Sequence, residues 1–108
     1  MKQLAKITFL FLLFAGYVMA EENPVWIDVR SAEEFAGGHL DNAVNIPHTE
    51  ITGKIADVTT DKDAEIHLYC GSGKRAGIAR EALEELGYTN VTNEGGYKDI
   101  KERMLNQP

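Results

Sequence analysis

Residues 66–76 read Ile-His-Leu-Tyr-Cys-Gly-Ser-Gly-Lys-Arg-Ala, and this stretch decides both the fold class and the candidate reactive residue. Its first four residues form an apolar run typical of a buried strand, and a helical pattern begins near Ala76. Because the free backbone N–H groups and the positive end of that helix dipole point back at the loop, a thiol at Cys70 would be stabilised as a thiolate. A free cysteine with a pKa near ~8.5 is only about 3% ionised at neutral pH, whereas helix N-termini and neighbouring cations lower cysteine pKa values to roughly 3.5–7.5. We therefore expect Cys70 to be a nucleophile.

The loop that follows Cys70 is rich in glycine and ends in two cations. Gly71 and Gly73 permit unusual backbone torsions and have no Cβ to block an approaching group. The N–H groups of this loop can therefore wrap around an anion, with the Cys70 sulfur at the floor of the cradle. The sequence thus predicts an anion-binding site built on a cysteine.

Cys70 is the only cysteine of the chain. A free cysteine is most often a small, buried, apolar residue. The alternative is a reactive thiol that is kept single so that no internal disulfide can lock it. The cationic glycine-rich loop next to Cys70 favours the reactive thiol.

Residues 1–20 have the features of a signal peptide. Lys2 and Lys6 form a basic start, residues 7–14 form an apolar centre, and Val18-Met19-Ala20 fits a cleavage site. An uncleaved membrane anchor is the alternative, but the apolar stretch is shorter than the ~20 residues that span a bilayer. We therefore predict one mature domain over residues 21–108, located in the periplasm without a membrane anchor after cleavage.

The charge of the mature chain argues against nucleic acid as a partner. All 17 acidic residues but only nine of the 11 basic ones follow Ala20, which leaves a formal charge of −8 and no basic stripe. The three histidines, His39, His48 and His67, are scattered and have no companion cysteine. We therefore expect no metal site.

Strand-like and helical segments alternate along the chain, which predicts an α/β fold with a central parallel sheet flanked by helices. In such sheets ligands bind at the carboxyl ends of the strands, where Cys70 lies. The predicted strands are 25–29, 43–46, 65–69 and 90–93, followed by a turn at Gly95-Gly96. The predicted helices are a short one capped by Ser31 and Glu34 and ending near Gly37-Gly38, a weak one over 48–58, and those over 76–86 and 97–105.

Periodicity also predicts which side chains of the last two helices face the core. In the helix over 76–86, the inner face comprises Ile78, Ala79, Ala82, Leu83 and Leu86. In the final helix it comprises Ile100, Met104 and Leu105.

Several further segments bear on the family to which the chain is similar. They are Asp28-Val29-Arg30 with Glu34-Phe35, residues 38–47, residues 69–75, and residues 87–91 with 95–97. Together they resemble the rhodanese family of sulfurtransferases, and more closely its small exported single-domain members of the phage-shock-protein-E type. The chain departs from the common pattern at Asp41-Asn42, which replaces Pro-Gly and for which we expect Asn42 at positive φ, and at Glu94, where an apolar residue is usual.

The resemblance implies a rhodanese-like domain in which the Cys70 thiolate attacks the outer sulfur of thiosulfate or a similar anionic donor. Sulfite leaves, and the sulfur stays on the same cysteine as a persulfide until cyanide or a thiol, which can belong to another protein, collects it. No cofactor beyond that persulfide is implied, and we expect a monomer.

The resemblance also implies roles for the residues after Cys70. Their N–H groups would stabilise the anionic sulfur, and the two cations would attract the donor's sulfonate, with the planar fork of Arg75 matching two oxygens. The alternative for Lys74 and Arg75 is exposure to solvent or pairing with a nearby carboxylate. The predicted donor-binding residues are Gly71, Ser72, Gly73, Lys74 and Arg75. Asp28 and Arg30 would either support this loop or form a plain structural ion pair.

Two other functions are compatible with the same pattern. A cysteine-dependent phosphatase or arsenate reductase also uses a cradle that starts at cysteine, but it needs five residues between cysteine and arginine, and here Ala76 occupies the arginine position. A sulfur carrier or protein-binding module would use the same fold without turnover.

Overall fold

Four parallel strands form the central sheet of the structure, a computed structural model that describes residues 23–107. The strands are β1 (Val25–Asp28), β2 (Val44–Asn45), β3 (Ile66–Cys70) and β4 (Val91–Gly96). They lie in the order β2-β1-β3-β4, so β3 is central and pairs with both β1 and β4. The predicted α/β class with a central parallel sheet is confirmed.

Helices connect the strands, as the alternating pattern predicts. They are α1 (Ala32–Ala36), a 3₁₀ turn (His48–Glu50), α2 (Ile51–Lys54), a second 3₁₀ turn (Ile55–Asp57), α3 (Lys74–Glu85) and α4 (Tyr97–Leu105). The capping box that begins α1 is present, because the Ser31 Oγ accepts the Glu34 N–H at 3.2 Å and the Ser31 N–H donates to Glu34 Oε1 at 3.0 Å. The helix ends at Gly37, as predicted.

The core lies on both faces of β1 and β3. Ile66, Leu68, Tyr69 and Cys70 are all fully buried, which explains why β3 reads as a nearly continuous apolar run. On one face of the sheet, α3 contributes its buried side chains, Ala76, Ala79 and Leu83. Each large apolar side chain of such a core stabilises the fold by about 1.5–3 kcal/mol.

The predicted inner faces of α3 and α4 are wrong in part. Ile78 is half exposed, because it lies about 200° around the helix from Ala76, on the side away from the sheet. Leu86 is exposed just beyond the end of α3. In α4 only Ile100 is buried, since Met104 and Leu105 lie at the C-terminal end of the helix and are exposed.

β4 runs further than the sequence predicts. Gly95 and Gly96 belong to the strand rather than to a turn, and the pairing register shifts between Leu68 and Cys70 on the opposing strand. Gly95 has a φ of +95°, which fits this irregularity because glycine adopts positive φ without strain. The expectation for Asn42 is wrong, because only glycines have positive φ among residues 23–107.

The predicted signal peptide, residues 1–20, lies outside the described residues. Within residues 23–107 no helix is both long and apolar enough to cross a membrane.

Candidate active site

Cys70 ends β3, and the chain turns through residues 71–73 before α3 begins at Lys74, two residues earlier than predicted. The Gly73 N–H donates to the Cys70 Sγ at 2.9 Å. Although burial of the thiol works in the opposite direction, the backbone N–H groups of Ala76, Ser72, Gly73 and Arg75 together lower the pKa of Cys70. The loop therefore surrounds a buried sulfur with hydrogen-bond donors and stabilises its thiolate.

Gly73 gives the loop its shape. Its φ of +100° lies in the left-handed region that side chains avoid, and its backbone closely approaches β4, since a Cβ there would lie 3.4 Å from the Gly95 Cα. The Asn93 side chain ties the two segments together, because its Nδ2 donates to the Gly73 carbonyl and its Oδ1 accepts the Gly95 N–H, each at 2.9 Å. Asn93 is a residue of the site that its sequence pattern alone does not predict; the signal that points to it is an amide side chain two positions before Gly95-Gly96, on a strand neighbouring β3.

Gly96 also lies directly against the cysteine loop. A Cβ on Gly96 would lie 3.1 Å from the Gly71 carbonyl carbon and 3.4 Å from the Ser72 Cα. Two stretches of backbone therefore touch here, and only glycine leaves room for that contact.

Arg75 is paired with Glu34, the residue that also caps α1. The Arg75 Nη1 donates to Glu34 Oε1 at 2.7 Å, and Nη2 donates to Oε2 at 3.1 Å. The hydrogen bonds from Arg75 and from the Ser31 backbone lower the pKa of Glu34 to about 2. Of the two roles considered for Arg75, pairing with a nearby carboxylate is the one present in this structure. Glu34 is a further residue at the site that the sequence analysis missed, because 41 positions separate it from Arg75.

The remaining predicted loop residues lie where the sequence places them. Gly71 and Ser72 are exposed between Cys70 and Gly73. Lys74 is exposed at the first position of α3, where its charge adds to the positive potential of the helix end. The structure therefore places a short turn and the first turn of α3 directly after Cys70, and the donor-binding roles of these residues stay a prediction.

Asp28 and Arg30 form a buried ion pair at the end of β1. The Arg30 Nη2 donates to Asp28 Oδ2 at 2.7 Å and to the Gly38 carbonyl at 2.7 Å, and the guanidinium carbon lies 4.6 Å from the centre of the Tyr97 ring. The hydrogen bond that Arg30 donates to Asp28 is the largest cause that raises the pKa of Arg30. These contacts fix the turn after α1, so they favour the structural role of the pair.

His67 lies on β3 between two carboxylates. Its Nε2 is 2.6 Å from Glu65 Oε2, its Nδ1 is 2.7 Å from Glu94 Oε2, and its ring stacks on Trp26. Although burial of the ring opposes its charge, these two hydrogen bonds raise the pKa of His67. No group of three or more ligand-type side chains within residues 23–107 is arranged to hold a metal ion.

A cavity of about 510 Å³ lies on the same side of the fold as α4, and none of its lining residues belongs to the cysteine loop. It is lined by Trp26, His39, Leu40, Asp41, Asn42, Tyr97, Lys101 and Met104. The loop around Cys70 and this cavity are therefore separate features of the fold.

Comparisons with known proteins agree with this fold and loop. Residues 17–103 match the family model described as a Rhodanese-like domain. The chain is 44% identical over 91 residues to the thiosulfate sulfurtransferase PspE of Escherichia coli, which covers 84% of this chain and 86% of that protein. A solved rhodanese with anions from E. coli superposes with a TM-score of 0.69 at 43% identity, over 71% of this chain and 91% of that one. The human single-domain sulfurtransferase TSTD1 superposes with a TM-score of 0.66 at 27% identity, over 85% and 93% of the two chains. The chain therefore belongs to the rhodanese family.

Proposed function

We propose that this protein is a thiosulfate sulfurtransferase whose sulfur carrier is Cys70. The Cys70 thiolate attacks the outer sulfur of thiosulfate, the S–S bond of the donor breaks, and sulfite leaves with the bonding electron pair. The enzyme is left with a persulfide anion on Cys70. Cyanide then attacks the terminal sulfur to give thiocyanate, or a thiolate attacks it to give an acceptor persulfide, and either step restores the Cys70 thiolate.

The observation that carries this proposal is a buried sulfur at the start of α3 that accepts the Gly73 N–H at 2.9 Å, in a loop whose backbone N–H groups lower the pKa of Cys70. Such donors stabilise negative charge without reorganising, so the same loop holds the thiolate before attack and the persulfide anion after it. The surroundings lower the pKa of Cys70, which favours formation of the thiolate without a side chain that takes its proton.

We assign the donor's sulfonate to the mouth of the loop, where residues 71–75 provide N–H groups, Lys74 and Arg75 provide positive charge, and Arg75 offers two parallel donors. A related E. coli rhodanese was solved with anions, which supports an anion-binding role for this fold. Phosphatase chemistry receives no such support, because Ala76, at the position where those enzymes need arginine, is a buried methyl group.

Mass spectrometry of the protein after incubation with thiosulfate tests the proposal. We expect Cys70 to gain the mass of one sulfur atom, sulfite to appear in solution, and cyanide to remove the added sulfur as thiocyanate. Cys70→Ser should abolish all three. Equal sulfite release by Cys70→Ser would refute the proposal. A persulfide that neither cyanide nor small thiols can remove would identify a carrier for another protein's thiol, and turnover of an aryl phosphate would identify a phosphatase.

We also propose that the protein is exported to the periplasm after cleavage near Ala20, and that the mature domain acts there as a monomer. The basic start and apolar centre of residues 1–20 support export. The mass of the protein recovered from a periplasmic extract tests it: a chain that begins near Glu21 is expected, and a chain that retains residues 1–20 would contradict it.

A further inference from the structure

The ion pair between Arg75 and Glu34 uses the same donor groups that an anionic substrate would need. Both outer nitrogens of the guanidinium donate to the carboxylate, at 2.7 and 3.1 Å, in the parallel arrangement that also suits the oxygens of a sulfonate. One guanidinium fork cannot serve both partners in this way at once. The carboxylate of Glu34 and the donor therefore compete for the edge of Arg75 formed by Nη1 and Nη2.

This competition takes place at the mouth of the cysteine loop. The Arg75 Nη2 lies 3.2 Å from the position that a Cβ on Gly71 would occupy, so the guanidinium lies beside the residue that follows Cys70. The side chains of Arg75 and Glu34 are 33% and 40% exposed, so a solute can reach the pair from solvent.

The position of Glu34 is fixed by more than its contact with Arg75. The Ser31 N–H and the Ser31 hydroxyl donate to Glu34 Oε1 at 3.0 and 3.1 Å, as part of the cap of α1. Because its pKa is about 2, the carboxylate is charged at any pH at which the enzyme would be assayed. A fixed negative charge therefore faces the donor-binding cation permanently.

We propose that Glu34 is a positioning residue that sets the affinity of the site for oxyanions by holding the Arg75 guanidinium. An anionic donor gains the Nη1–Nη2 edge of Arg75 only by displacing the carboxylate, and the carboxylate returns to that edge as sulfite leaves. The inference rests on the proposed function, because it takes Arg75 as a group that binds the donor. It follows that the free enzyme binds thiosulfate more weakly than its loop alone would allow.

Glu34→Gln tests this directly. The side-chain oxygen of glutamine can still accept the Ser31 N–H, and the backbone N–H of residue 34 still donates to the Ser31 Oγ. The substitution therefore preserves α1 while it removes the competing charge. Because exposed ion pairs are weak, we expect the KM for thiosulfate to fall by between about twofold and fivefold, with a smaller change in kcat. The matched control is Glu33→Gln, which removes the same charge from the same exposed turn and should leave the KM unchanged. A KM that is unchanged or raised in Glu34→Gln would overturn the proposal.

A double-mutant comparison separates an effect through Arg75 from simple repulsion of the donor. In an Arg75→Ala background, which should itself raise the KM, Glu34→Gln has no guanidinium to release and should no longer lower the KM. An equal fall in both backgrounds would show that Glu34 repels the donor directly, and it would overturn the assignment of Glu34 to the positioning of Arg75.

A measurement without turnover keeps this inference distinct from the proposed function. The rates at which iodoacetate and iodoacetamide alkylate Cys70 compare an anionic with a neutral reagent of similar size. Glu34→Gln should raise the rate with iodoacetate relative to the rate with iodoacetamide by between about twofold and fivefold, and Glu33→Gln should leave this ratio unchanged. If thiosulfate is not turned over but the ratio rises, the proposed function fails and the competition for Arg75 stands. If turnover proceeds but neither the ratio nor the KM responds to Glu34→Gln, the competition for Arg75 fails and the sulfurtransferase stands.

Discussion

Replacing Gly96 by alanine should displace the backbone of the cysteine loop while it leaves every side chain of that loop unchanged. The backbone of Gly96 has φ −100° and ψ 146°, which alanine adopts freely, so the substitution acts only through its added methyl group. That carbon would lie 3.1 Å from the Gly71 carbonyl carbon, whereas carbon atoms in good contact are about 3.5–4.0 Å apart. The loop must therefore move away from β4 by about 0.5–1 Å.

A displacement of this size matters because the N–H groups around Cys70 act at hydrogen-bond distance. Misplacement by about 1 Å can reduce catalysis about 100-fold, so we expect kcat/KM for thiosulfate to fall by about that factor. The alkylation of Cys70 by iodoacetamide should also require a higher pH. Overpacking should lower the free energy of unfolding by about 1–3 kcal/mol, which circular dichroism during urea denaturation will measure.

Gly77→Ala is the matched control for that experiment. It adds the same methyl group close to the loop, but its carbon would lie 3.5 Å from the Asn93 Nδ2, which is an ordinary contact, and it lies inside α3, where alanine is favoured. It should keep the alkylation profile and kcat/KM of the wild type. If Gly96→Ala is folded and matches the wild type in both measurements, the contact between β4 and the loop does not hold the donors in place.

Three further predictions concern stability. Gly53→Ala should raise the free energy of unfolding by about 0.4–1 kcal/mol, because alanine loses less conformational entropy on folding and its Cβ would meet no atom within 4 Å. A loss of stability in urea denaturation would contradict this. Asp28→Asn should lower that free energy by about 3–5 kcal/mol, since it leaves the buried Arg30 without its anionic partner, and a loss below about 1 kcal/mol would contradict this. Because the folded pKa of His67 is raised, its charged form should stabilise the fold fully below about pH 6.5, and this contribution should disappear as the pH rises through the folded pKa. The free energies of unfolding of wild type and His67→Gln, measured by urea denaturation, should therefore differ more at low pH than at high pH. A difference that does not change with pH would refute the stabilising role of charged His67.

What the sequence predicts well are features in which neighbouring residues determine the structure. The cap of α1 by Ser31, the apolar strand that leads into Cys70, and the glycine-rich turn before α3 each depend on residues within a few positions of one another. The sequence predicts the buried faces of α3 and α4 less well. Periodicity shows which residues share one side of a helix, but it does not show how far the rest of the fold covers that side. Met104, for example, shares a side of α4 with the buried Ile100, but it lies at the end of the helix and is exposed.

The contacts that the sequence could not predict join segments that are distant along the chain. The sequence around Glu34 indicates a capping residue, and the sequence around Arg75 indicates a cation near a reactive cysteine. Neither stretch gives a sign of the other. Only the packing of α1 beside the cysteine loop brings the two side chains together. Gly96 likewise reads as a turn, because nothing in its neighbourhood shows that the backbone of residue 71 lies against it. These two long-range contacts act on different properties of one site. The contact of Gly96 with the loop positions the N–H groups that lower the pKa of the Cys70 thiol, so it should govern the reactivity of Cys70 toward any electrophile. The pairing of Glu34 with Arg75 should govern only how strongly anionic donors bind. Neutral alkylating reagents should therefore respond to Gly96→Ala and not to Glu34→Gln, whereas anionic reagents should respond to both.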